Sequence, residues 1–83
     1  MEKITELFTE KIAYVGLPLR VLEVKELDEI YQVILVGGNN GFHDWPKYLT
    51  DLAQLMGSID CWLINLENDV LDDIHYATIG VRK

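Results

Sequence analysis

A tetrapeptide nearly recurs in this chain. Leu27-Asp28-Glu29-Ile30 and Leu71-Asp72-Asp73-Ile74 lie 44 residues apart, and each opens a stretch rich in β-forming residues. A second pair, Ile4-Thr5-Glu6-Leu7 and Leu49-Thr50-Asp51-Leu52, recurs at 45 residues. Matching offsets suggest two similar halves, about 1–37 and 44–83, within one small domain spanning 1–83. Both matches are short and conservative, and two unrelated amphipathic elements would also produce them.

Ile4, Leu7, Phe8 and Ile12 recur at helical spacing, with Glu2, Glu6 and Glu10 turned elsewhere. Gly16 and Pro18 predict that this helix stops near Tyr14. Residues 19–26 alternate loosely around Val21, Leu22 and Val24 and read as a strand. Residues 30–36 are apolar on both faces, the mark of a central strand. The acidic segment between them, 26–29, is short enough for a hairpin.

Gly37-Gly38-Asn39-Asn40-Gly41 breaks the chain. A second helix follows, with Asp44 as N-cap, Pro46 in the first turn and Gly57 at its end. Its expected inner stripe is Leu49, Leu52, Ala53 and Met56. Residues 59–66 and 74–81 read as two further strands, and 67–73 fits either a turn or one short helical turn. The expected fold is therefore α+β. It is a two-layer sandwich of αββαββ order, with a four-stranded antiparallel sheet and both helices on one face. The exposed sheet face should then carry large apolar residues, so a second copy of the chain is a candidate to cover it.

The charge narrows the choice of partner. Fourteen acidic residues face seven basic ones, a formal net charge of −7 on 83 residues. Such a surface repels nucleic acid and anionic lipid and attracts basic protein. It also simply keeps a small protein soluble. Lys3, Lys11, Arg20, Lys25, Lys47, Arg82 and Lys83 are dispersed, so direct nucleic-acid binding is not expected. The longest clean apolar run, 33–36, is far too short to span a bilayer. The single cysteine and the charged N-terminal segment predict a cytoplasmic protein with no leader.

Chemistry-bearing motifs are weak. The Gly-rich loop lacks both the Lys-Ser/Thr pair and the spacing of a phosphate cradle. Cys61 and His75 sit in adjacent expected strands and could face each other as a thiolate pair. Yet Ile59 and Leu63 flank Cys61, which favours a core cysteine and a surface histidine. Glu67, Asp69, Asp72 and Asp73 offer hard oxygen ligands, but not at calcium-loop spacing. Neither a metal nor any other cofactor is expected. Trp45 suits a hydrophobic staple over Leu49, and Phe42 an exposed anchor.

The expected function is a non-enzymatic, acidic protein-binding module. Its contact residues would be Glu26, Asp28, Glu29, Phe42, Glu67, Asp69, Asp72 and Asp73. Its mode would be occupancy of a basic, nucleic-acid-binding surface on a partner protein, a nucleic-acid mimicry used by small phage- and plasmid-borne inhibitors. That analogy rests on size and charge. The alternative is a small homodimeric structural, regulatory or ligand-binding protein.

Overall fold

A computed structural model of the chain describes residues 2–38, 45–57, 59–69 and 74–83. It is an α+β structure with two helices and a four-stranded antiparallel sheet. In chain order the elements are α1 (Glu2–Val15), β1 (Arg20–Glu26), β2 (Ile30–Gly38), α2 (Trp45–Gly57), β3 (Cys61–Asp69) and β4 (Ile74–Arg82).

Helix α1 buries Phe8 and Ile12 from its apolar stripe, with Ile4 packed alongside. It stops because Gly16 takes a left-handed φ of 82°, open to glycine at little cost. The Leu17 amide then donates back to the Ile12 carbonyl at 3.2 Å, which satisfies one of the helix's last carbonyls. Leu17 and Ile12 are both buried, so polar closure and apolar contact reinforce each other. Leu17, Pro18 and Leu19 lead from this cap into β1.

The sheet order is β1-β2-β4-β3. Each sequence-adjacent pair forms a hairpin, and the two hairpins join through β2 and β4. That central pairing runs without interruption from Ile30↔Arg82 to Gly38↔Ile74. Strand β1 is bulged between Val21 and Glu23, and β3 between Leu63 and Asn65. The bulges confine irregularity to the two edge strands, where a broken ladder costs least. At the first hairpin the Leu27 amide donates to the Ile30 carbonyl at 2.9 Å, which leaves Asp28 and Glu29 at the tip.

Alternate residues of the central strands build the core. Val33 and Leu35 from β2 meet Ala77, Ile79 and Val81 from β4, with Phe8 and Ile12 from α1 and Leu52 and Leu55 from α2. Fully burying side chains of this size contributes about 1.5–3 kcal/mol each. The inner stripe of α2 differs from the sequence expectation. Ala53 is exposed and Leu55 is completely buried. Turning Leu55 rather than Ala53 inward removes far more apolar area from water, so the helix rotates that way. The side chain of Leu49, also expected inside, lies outside the described residues.

Gly37 sits where the α1–β1 connection crosses the sheet. A Cβ there would collide with the Pro18 carbonyl oxygen and come within 2.8 Å of Leu19 Cδ2. Gly57 has open space around its Cβ position. Gly37→Ala should therefore cost about 1–3 kcal/mol in urea unfolding. Gly57→Ala should shift stability by no more than about 1 kcal/mol.

Candidate functional site

The carboxylates singled out in the sequence do not form one patch. Glu26, Asp28 and Glu29 stand at the β1–β2 tip, at the Ile30↔Arg82 end of the central pair. Glu67 and Asp69 stand near the opposite end, across from Tyr76 and Ile74. The two groups are separated by most of the sheet's length, about 25 Å at the usual strand rise. Antiparallel pairing of β2 with β4 makes this unavoidable, because the two strands start at opposite ends of it. Phe42, Asp72 and Asp73 lie outside the described residues.

The first acidic end is partly compensated. Lys83 Nζ lies 3.3 Å from Glu26 Oε2 and 5.2 Å from the centre of the Tyr31 ring. Arg82 Nε lies 3.6 Å from Asp60 Oδ2, with both side chains largely exposed. Asp28 and Glu29 project into solvent. At the other end, Asn65 Nδ2 donates to Glu67 Oε1 at 2.9 Å and braces an exposed carboxylate beside the β3 edge.

Sequence alone does not single out the most unusual surface, which is β3 itself. Trp62, Leu63 and Ile64 are consecutive and all are exposed, at 39%, 38% and 43%. They occupy an edge strand, beside whose outer backbone groups no strand stands among the described residues. The other edge, β1, is broken up by Arg20, Glu23, Lys25 and Glu26. Residues 61–66 carry no charge at all. That contrast between two edges was legible as composition, but only the strand order shows which strands are edges.

The thiol-imidazole pair does not form. In register, Cys61 is opposite Val81 while His75 is opposite Asn68. The two lie about 20 Å apart along the strand direction. His75 is not a surface residue either, being 2% exposed. It shares its alternation with Ala77, Ile79 and Val81, so strand parity carries it inward. Cys61 packs against the core, and its Sγ donates to the Met56 carbonyl at 3.5 Å. Burial, with a smaller contribution from the nearby Asp60 carboxylate, pushes the thiol pKa upward. A thiol held protonated is a poor nucleophile at neutral pH.

Among the described residues, no three His, Cys, Asp or Glu side chains gather as metal ligands would. A shallow groove of about 300 Å³ runs along the α1–β1 junction, lined by Thr9, Ile12, Ala13, Leu17, Leu19 and Arg20. Its walls are mainly apolar, and they bring together no acid-base pair. No described helix is long and apolar enough to cross a membrane. Comparison with family models, curated proteins and solved structures finds no match to this chain.

The raised Cys61 pKa has two measurable consequences. Alkylation by iodoacetamide at pH 7.5 should be much slower in the native protein than in the urea-unfolded chain. The pH dependence follows from the thiol's neutral acid form. Below the unfolded value, near 9.0, both states are protonated and the thiol leaves stability unchanged. Above it the unfolded chain ionises first, so stability falls as pH rises until the native thiol also ionises. Cys61→Ala should remove that part of the alkaline decline in urea titrations.

Proposed function

We propose that this chain is a non-enzymatic protein-binding module that works by occupancy. Its two helices lie over one sheet face as a two-layer αββαββ sandwich, and the recognition elements lie on the sheet's rim. One observation carries the reading: the uncharged, exposed run Trp62-Leu63-Ile64 on edge strand β3, with the Glu67 carboxylate just beyond it. Contiguous exposed apolar residues beside charge are the composition of a contact surface, with aromatic anchors at the centre and polar groups at the rim.

Carboxylates at the sheet ends steer the approach of a Lys/Arg-rich protein, and the β3 edge then holds it. Steering acts through the summed field, so it does not need the two acidic ends to touch. Because those ends are far apart, a basic surface tracking the sheet's length meets both. That is the geometry in which imitation of a nucleic-acid backbone, and so inhibition of a nucleic-acid-binding protein, would operate. Nucleic acid itself and membranes are not partners in this reading, and the cytoplasm is its setting.

Affinity capture from lysate, compared at low and high salt, tests the proposal. The wild-type chain should retain a basic protein at low salt and lose much of it at high salt. Glu67→Gln combined with Asp69→Asn should weaken capture and flatten its salt dependence. Trp62→Ala should weaken it at every salt concentration. Retention of no basic protein at either salt would end the proposal.

A further inference from the structure

The sheet face turned away from the buried cluster carries residues that none of the preceding contacts explain. Val36 is only 7% exposed, yet it takes no part in that cluster. Ile34 and Tyr76 beside it are half-buried on the same face. Trp62 lies flat across Gly80, where a Cβ would come within 2.7 Å of its Cε2 and Cζ2 atoms. Val36, Ile34, Tyr76 and Trp62 thus give this face an apolar band, and its charged residues stand on the outer strands except Arg82, at the end of β4, which lies beside Asp60.

Register organises those charges. Arg20, Val36, Tyr76 and Glu67 form one row across the four strands. The next row runs Glu23, Ile34, Thr78, Asn65, and the third runs Lys25, Gln32, Gly80, Trp62. Each row thus ends in a charge on β1 and in a complementary group on β3. Arg20 has Glu67 at the far end, Glu23 has an amide, and Lys25 has an indole.

We infer that this face docks a second copy of the chain, face to face, about a two-fold axis parallel to the strands between β2 and β4. Such an axis exchanges the β1 and β3 edges without moving any row along the strands. Arg20 then meets the partner's Glu67, and by symmetry the contact occurs twice. Lys25 meets the face of the partner's Trp62, a cation–π arrangement. Glu23 meets the partner's Asn65, and at the centre Ile34 meets the partner's Thr78.

The charges reject the other in-plane axis. A two-fold running across the strands would place Arg20 over the partner's Lys25 and Glu23 over the partner's Glu23. Like charges held opposite each other destabilise an interface. The chain's net charge of −7 opposes self-association in general. On this face, however, Arg20, Lys25 and Arg82 balance Glu23, Glu67 and Asp69, so the repulsion is locally cancelled. Packed sheets rotate by about 30° against each other, a displacement that Arg and Glu side chains at the corners absorb.

Size sets the expected strength. Four strands about 4.8 Å apart and about seven residues long bury roughly 1,000 Å² over both copies. That is the lower bound for a specific interface, so the dimer should be weak and concentration-dependent. This inference does not depend on the acidic-surface reading, but it engages Trp62 and Glu67, so a second copy and a basic partner would compete for β3. It is read on the purified chain alone, whereas the other needs a foreign partner.

Sedimentation equilibrium of the purified chain from about 1 to 200 µM tests it. The wild-type mass should rise from monomer to dimer across that range. Arg20→Glu alone and Glu67→Arg alone should each weaken the dimer roughly tenfold. The R20E/E67R double variant, and an equimolar mixture of the two single variants, should recover it. Ile34→Lys should leave a monomer whose circular dichroism matches wild type; if it fails to fold, the charge-reversal set decides alone. A wild-type chain that stays monomeric throughout overturns the inference. So does a dimer indifferent to Arg20→Glu, or single-variant losses that the double variant does not recover.

Discussion

The nine-residue antiparallel pairing of β2 with β4 is the constraint on which the rest depends. It alone joins the two hairpins into one sheet. It sets Val33 against Ile79 and Leu35 against Ala77, and those four residues form the floor on which Phe8, Ile12, Leu52 and Leu55 pack. A slip of one residue would turn that floor outward and bring Ile34 and Thr78 in, so the register and the core specify each other.

The same pairing governs the surface. It sets the start of β2 and the end of β3 at opposite ends of the sheet, which separates Glu26, Asp28 and Glu29 from Glu67 and Asp69. It also leaves β1 and β3 as edges with unlike chemistry. β1 carries alternating charge and is a poor template for another strand. β3 carries an uncharged Trp-Leu-Ile run. The proposed partner contacts accordingly fall at β3 and on the sheet face that the core does not use, with carboxylates acting at longer range. The reactive groups are arranged the other way. Cys61 and His75 are drawn toward the core by strand parity, and register holds them far apart.

Much of the local structure was readable in the chain. The Ile4-Leu7-Phe8-Ile12 stripe, the Gly16-Pro18 stop and the Val/Ile-rich stretches around residues 33 and 79 placed two helices and four strands to within a few residues. Errors arose where a choice depended on the opposing surface. Ala53 and Leu55 both suit a helix, and only the space beneath α2 decides which of them turns inward. His75 follows two acidic residues and looks solvent-facing, until its parity with Ala77 and Ile79 is known. The distance between the acidic segments was not legible, because sequence carries no information about how β2 pairs with β4.

By itself, then, the sequence determined the kinds of element, their approximate limits and the chain's acidic character. These follow from periodicity within a few turns, from the φ preferences of glycine and proline, and from simple charge. Tertiary structure decided the strand order, the separation of the carboxylates, the burial of His75, and which apolar residues remained at an edge. Those outcomes depend on the hydrogen-bond register between β2 and β4, whose paired residues lie 36 to 52 positions apart in the chain, and on alternation that one bulged residue reverses. No local pattern encodes either.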